Sequence, residues 1–271
     1  MELLVEQKRR VLKVVLNRPE KRNALTSGMC SAIVEAVEKA QESEDVGSIL
    51  FCANGPVFCA GMDLDEAAAM DHNQLSAIHE DLFSLNVNSK KPIVVAVNGA
   101  ALGGGVGLVA QGHIVVASTG AIFALREIHV GLWPFLVYHS VEAALGPRRT
   151  LELSLTGRSF QAHDALVWGL VHGLCNPIEV SARAQGIAND LAKASPAALR
   201  VGMQYFHESR EKSRSESAEI AKYLRCCLME TDDFKEGYEA FKQKREPHWP
   251  SMPPNFYRER RNANSGNEGG S

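Results

Sequence analysis

Along the chain, short continuous apolar runs alternate with segments whose apolar residues recur at helical spacing. Val11 to Leu16, VLKVVL, is β-branched and short, and it runs into Asn17-Arg18-Pro19-Glu20, where Pro19 has no N–H to continue a ladder. This is a strand ending in a loop. From Ser27 to about Ala40, Met29, Ile33, Val37 and Ala40 fall on one helical face, with Glu35, Glu38 and Lys39 between them. A strand over Ser48 to Cys52 follows. The repetition is cleaner next: a polar helix around Gln74 to Leu85, then Pro92-Ile93-Val94-Val95-Ala96-Val97, a run expected of a strand buried on both faces. After Asn98 come Gly103-Gly104-Gly105, a small-residue helix Val106 to Ala110, a strand Ile114 to Ala117 and another beginning near Ile122. Parallel pairing with crossover helices is the economical topology.

From Pro147 the pattern turns helical: Ala162 to Val171, Val180 to Ala194, Pro196 to Glu208, and Ser215 to Met229 with Ala218, Ala221 and Leu224 apolar. Asp233 followed by Glu236 has the form of a capping box, and Phe234, Tyr238 and Phe241 line one face of the helix after it. Beyond Pro250 the chain is too polar and too rich in Gly, Asn and Pro to bury a core, which predicts a disordered tail. An α/β half up to about residue 145 thus precedes a helical half, with no long linker between them.

Composition narrows the class. The 271 residues are 45% hydrophobic and carry 29 Lys+Arg against 32 Asp+Glu, a formal charge of -3, so no electrostatic footprint for nucleic acid or an anionic membrane exists. Arg258, Arg260 and Arg261 are a weak basic run, interrupted by Glu259. No apolar run approaches the ~18 residues of a membrane span, and the first residues place their charges after a very short apolar stretch, opposite to a signal peptide. A cytoplasmic protein is expected. Cys30, Cys52, Cys59, Cys175, Cys226 and Cys227 form no CxxC and no metal-ligand spacing, and read as reduced, mostly buried small hydrophobes. No metal site is expected.

GxGxxG after the first strand, GxxxxGK[ST], GxSxG and HExxH are all missing, which removes the dinucleotide, P-loop, serine-hydrolase and zincin readings. Two glycine-bearing strand ends remain, Gly55 to Asp63 and Asn98 to Gly105, each just past a strand and entering a helix. Glycine there lets backbone N–H groups approach a ligand closely. Two such donors on one oxygen form an oxyanion hole, although taken alone the segments also read as tight turns.

Together with Leu16 to Leu25, LNRPEKRNAL, these segments resemble the signature of the crotonase, or enoyl-CoA hydratase/isomerase, family. Thr156 to Leu174 is similar to that family's TG…A…A…GLV segment, and Asp232 to Arg245 resembles its carboxy-terminal helix, so the likeness covers nearly residues 1 to 248. The fold it implies is α/β: a crotonase-like spiral of ββα units over 1–195, a helical trimerisation region over 196–250, and a tail over 251–271. Such chains commonly form trimers stacked in pairs. The substrate implied is an acyl-CoA whose thioester carbonyl accepts hydrogen bonds from the N–H groups of Met62 and Gly104. The resemblance also places CoA near Lys21, Arg22, Ala24, Ala60, Asp63 and Leu64, with Phe241 and Lys244 reaching a CoA, that of a neighbouring subunit included. Asp65 departs from the lysine many hydratases carry there.

Hydration in this family uses two glutamates, one shortly after the glycine run and one in a segment F-x-x-x-E-x-x-x-G-x-x-P. Phe123 to Pro134 matches the second and puts Glu127 at the catalytic place, whereas Gly107 stands at the first. With strand register continued to Glu127, its side chain shares a face with Phe123 and Leu125, surroundings that raise a carboxyl pKa toward that of a general base. One carboxylate suffices to move a proton within a 3-enoyl-CoA, so isomerisation to the 2-enoyl ester is the expected reaction. Hydration, decarboxylation, thioester hydrolysis and a catalytically weak CoA-ester-binding protein are the alternatives. Enolate stabilisation by backbone donors calls for no cofactor. His129, Tyr138, His139 and Cys59 read as structural, and Asp63 as a turn or cap residue. Phe135 to His139 replaces the family's glycine-rich sequence and predicts a different pocket wall.

Overall fold

The computed structural model describes residues 1–87 and 89–257. Two sheets are built in parallel as the chain advances. The larger holds β1 (Leu3–Lys8), β2 (Val11–Leu16), β3 (Ser48–Ala53), β5 (Ile93–Val97), β7 (Ile114–Ser118) and β10 (Gly173–Cys175), adjacent in that order. The smaller holds β4 (Val57–Cys59), β6 (Ala100–Leu102), β8 (Ile122–Ala124) and β9 (Phe160–Gln161). Each of β3, β5 and β7 sends the chain directly into a short strand of the second sheet. The chain then returns through helices: α2 (Leu64–Ala69) and α3 (His72–Phe83) after β4, and α4 (Gly104–Ala110) after β6. The repeat is therefore ββα; the larger sheet pairs parallel from β2 through β10 and antiparallel between β1 and β2, and in the smaller sheet β8 and β9 pair antiparallel.

Strand alternation explains why the larger sheet reads as continuous apolar runs. Ile93, Val95 and Val97 face the main core with Ile49, Phe51, Val14 and α1 (Ser27–Glu42), while Val94 and Ala96 face a second core with Leu50, Cys52 and Val116. The second core is closed by α8 (Val180–Lys193), whose Val180, Ala184, Ala188 and Ala192 recur every fourth residue and let the helix lie close on the sheet. Between them, α5 (Phe135–Leu145), α6 (Pro147–Thr156) and α7 (Ala162–Trp168) follow the second sheet. The chain continues with α9 (Pro196–Ser209), α10 (Arg214–Met229) and α11 (Asp232–Gln243). No described helix is long and apolar enough to cross a membrane.

The segment Leu3–Lys8, to which the sequence pattern assigns no element, is a strand, an exposed edge held by its ladder to β2. Three expectations are corrected. Asp233 is not a cap. Thr231 caps α11 by accepting from Phe234 N, and Asp233, buried inside the helix, accepts from Ser195 Oγ and from the N–H and Oγ of Ser251. A full capping box instead opens α10, between Ser213 and Glu216. Cys226 and Cys227 are exposed on α10 rather than buried. Of the expected tail, residues 258–271, including Arg258, Arg260 and Arg261, lie outside the described residues, whereas Met252 is buried and Ser251 is bonded to Asp233.

Candidate active site

The two glycine-bearing strand ends meet where β4 and β6 lie side by side. Leu25 bridges Met62: its N–H donates to Gly61 O at 2.8 Å and its carbonyl accepts from Asp63 N at 2.9 Å, which turns the Met62 N–H to the other side. Gly61 has φ +96, and a β-carbon there would lie 2.8 Å from Leu102 O and 3.4 Å from Gly104 N. Only glycine lets these segments come so close. Gly104 is the first residue of α4, where N–H groups have no intrahelical acceptor. Among the described residues neither Met62 N–H nor Gly104 N–H has a hydrogen-bond acceptor. Two free donors, one at a helix N-terminus, thus lie side by side, an arrangement suited to stabilising an oxyanion.

Glu127 completes the group. A β-carbon at Gly103, φ +51, would meet Glu127 Oε1 at 3.1 Å, so the carboxyl lies against the turn that carries the Gly104 N–H. The strand does not reach Glu127, as the sequence had suggested: β8 ends at Ala124, whose carbonyl accepts from Gly103 N at 2.8 Å. Arg126 then turns the chain into a 3-10 segment, Glu127–Val130. Burial is nonetheless retained. Glu127 Oε2 is inaccessible and has no partner, and desolvation raises the carboxyl pKa above its ordinary value, against a backbone N–H bond that lowers it.

Gly107, one helical turn into α4, has no room for a side chain. A β-carbon there would lie 2.2 Å from Val137 Cγ1 of α5 and 3.0 Å from Phe83 Cδ1 of α3. Phe83 Cζ and Leu25 Cδ1 also approach Gly104, at 3.2 and 3.6 Å from where its β-carbon would be. Leu25, Phe83 and Val137 are therefore apolar walls beside the donors. Val137 belongs to the segment Phe135 to His139 that predicted a different pocket wall; Leu25 and Phe83 were not singled out as wall residues, and only the packing of α3 and α5 on α4 brings Phe83 and Val137 to the site.

The loop before α1 is fixed from within. Asn23, fully buried with φ +54, accepts from Arg18 N at 2.8 Å and donates to Asn54 O and Val57 O. Arg22 O accepts from Ala60 N at 3.0 Å, which aligns Lys21, Arg22 and Ala24 with Ala60 to Leu64. Lys21, Arg22 and Leu64 are exposed on this rim. Asp63 commits its carboxylate internally: it caps α2 by accepting from Glu66 N and pairs with Arg18 at 2.5 Å, which holds it below the usual carboxylate range. Phe241, 84% exposed, and Lys244 are not joined to this rim within one chain; their helix packs on α10.

The residues set aside as structural fall as follows. Cys59 is fully buried, its thiol pushed up to about 12 by desolvation. His139 faces solvent beside Glu142, 3.8 Å away, and His129 leans over Gly157. Tyr138 stacks on Trp133 at 6.4 Å between ring centroids. Among the described residues no group of three or more His, Cys, Asp and Glu could hold a metal ion.

Known proteins resemble this chain in sequence and in fold. The profile of a family described as enoyl-CoA hydratase/isomerase matches residues 6–252. A probable mitochondrial enoyl-CoA hydratase of Dictyostelium discoideum is 34% identical over 250 residues, covering 90% of this chain and 89% of that one. The 2,3-dehydroadipyl-CoA hydratase of Escherichia coli is 32% identical, over 91% and 97%. The crystal structure of an enoyl-CoA hydratase of Mycobacterium smegmatis superposes with a TM-score of 0.87 at 30% identity, covering 92% of this chain and 99% of that one.

Proposed function

Since the chain belongs to the enoyl-CoA hydratase/isomerase family, we propose that it is an enoyl-CoA isomerase that works with a single carboxyl group, Glu127. The observation that carries this reading is the packing at Gly107: Val137 fills the space in which the family's other glutamate would start. Glu127, desolvated and without a partner on Oε2, takes the C2 proton of a 3-enoyl-CoA. The electrons move into the thioester carbonyl, and the dienolate oxygen accepts from Met62 N–H and Gly104 N–H. Glu127, now a neutral acid in surroundings that favour that form, returns the same proton at C4 and leaves the 2-enoyl ester. The fixed donors contribute about 3–4 kcal/mol each to stabilising the anion, and the reading calls for no metal or cofactor.

In this reading CoA runs along the rim of Lys21, Arg22, Ala24, Ala60 and Leu64, with Asp63 shaping the turn. Phe241 and Lys244 reach it from a second copy of the chain in a trimer or a dimer of trimers.

Hydration is the second reading, favoured by the names of the relatives, which are hydratases. Ultraviolet absorbance separates the two. Isomerisation of a 3-enoyl-CoA creates the conjugated chromophore, and hydration of a 2-enoyl-CoA destroys it. We expect a rise with the 3-enoyl ester that falls by about 10²- to 10⁴-fold in Glu127→Gln while CoA-ester binding is kept. Efficient loss of the 2-enoyl signal, or full activity in the variant, overturns the proposal.

A further inference from the structure

Away from the candidate active site, Arg10 is anomalous. It is the second residue of the turn between β1 and β2 and is 5% exposed, yet its guanidinium makes no hydrogen bond with any described residue, and Nε and Nη1 are inaccessible and unpartnered. Among the described residues no carboxylate lies within salt-bridge distance of it. Burial pushes its pKa down, against the longer-range fields of Asp45, Tyr257 and Glu44. Buried charges in folded proteins are paired or bound to a counter-ion, because desolvation costs several kcal/mol per ion when they are not.

Arg10 lines a cavity of about 20 Å³, enough for one body about the size of a water molecule. The charged side chains among the lining residues are all cationic. Arg9 and Lys193 bring positive charge, and Asn189, whose Oδ1 accepts from Gln185 Nε2 at 3.1 Å, is left with its NH₂. Burial, and after it the positive field of Arg10, lower the pKa of Lys91. A water molecule would accept hydrogen bonds here but neutralise no charge.

We propose that this cavity is a binding site for one small monovalent anion, chloride or an ion of its size, held by the Arg10 guanidinium and the Asn189 amide in the field of Arg9 and Lys193. The ion joins three parts of the fold. Arg10 O already accepts from Gly47 N and from Ser48 N at the start of β3, Asn189 and Lys193 belong to the last turns of α8, and Phe256 lines the cavity from the carboxy-terminal segment. The anion is structural and acts on stability rather than on turnover.

Bromide is the probe. Crystals of the full chain grown without halide and soaked in sodium bromide are expected to show an anomalous peak beside Arg10, and none there in Arg10→Met. In solution, exchanging gluconate for chloride at constant ionic strength is expected to raise the melting midpoint by roughly 2–4 °C at ten times the half-saturating concentration, the size of an about tenfold rise in the folded-to-unfolded ratio. Arg10→Met, which removes the buried charge, is expected to be at least as stable as wild type in gluconate and insensitive to the exchange. Bromide peaks confined to the surface, a water in the cavity at saturating bromide, or no chloride response in the wild-type chain each overturn the proposal. The wild-type measurements decide the matter even if the variant fails to fold.

Discussion

At the scale of single residues, Glu127 carries two opposed consequences of the same burial. Its carboxyl loses hydration and gains no partner on Oε2, so its pKa is raised. A base must be ionised to act, and the acidic limb of kcat/KM is therefore expected to lie above the ordinary glutamate value of about 4.3. The stability argument has the opposite sign. Between the unfolded and the raised folded pKa, the folded state binds more protons, so stability falls as pH rises through that window and the deficit persists at neutral pH. Glu127→Gln is thus expected to be inactive yet more stable at pH 7, with the gain vanishing below the unfolded pKa. Thermal melts of the two proteins across pH check this, and a destabilised variant at pH 7 would refute the burial argument.

Among the elements, the contact between α4 and α5 decides what chemistry the site can hold. Val137 Cγ1 occupies the space of a β-carbon at Gly107, so Gly107→Glu alone forces a backbone shift and is expected to cost roughly 1–3 kcal/mol. Val137→Ala leaves a small cavity beside Gly107 and costs less than a larger truncation. Combined, the two changes are expected to recover part of the lost stability, since each removes the strain or the void left by the other. The double variant is also expected to gain activity on a 2-enoyl-CoA relative to both single variants. Additive stabilities and no gain in hydration would show that the α4 position does not face the reacting carbons. The same two helices carry the departure noted in the sequence: Phe135 to His139 begins α5, and its bulk is expressed through Val137 rather than through Tyr138 or His139.

For the whole molecule, the carboxy-terminal helices leave apolar surface outward. Phe234, Tyr238 and Phe241 lie on one side of α11 and are exposed, as are Tyr223 and Met229 on α10. Exposed apolar surface of this extent is characteristic of a face that another chain covers. Sedimentation at micromolar concentration is expected to give a multiple of 29.5 kDa, with a trimer the smallest stable species. Phe234→Asp combined with Tyr238→Asp is expected to shift the protein toward monomer and to weaken CoA-ester binding through the loss of Phe241 and Lys244 from the neighbour. A monomeric wild-type chain that binds CoA esters normally would refute both expectations.

Much of this was legible before any coordinates. Strands buried on both faces announce themselves as continuous β-branched runs, so β2, β3, β5 and β7 were bounded to within a residue or so, and glycine pairs at strand ends marked both donor loops. Met62, Gly104 and Glu127 were singled out through the family resemblance, and the structure brings their loops together. What escaped was non-local. The edge strand β1 has no periodicity of its own and exists because β2 offers it a ladder. Asp233 has the spacing of a cap, but its carboxylate bonds Ser195 and Ser251, partners that only the docking of α11 supplies. The 3-10 turn at Glu127 keeps the carboxyl buried by a route that strand alternation does not contain. Val137, Phe83 and Arg10 owe their significance to neighbours more than 20 residues away along the chain. The sequence by itself determined the alternation of strands and helices as far as β7 and the two glycine-bearing strand ends, because those follow from local propensity and short-range spacing; the ββα repeat came only through the family resemblance. Tertiary structure alone decided which side chain fills Gly107, which charge is left unpaired and which face of α11 stays bare, because burial is a property of the packed whole.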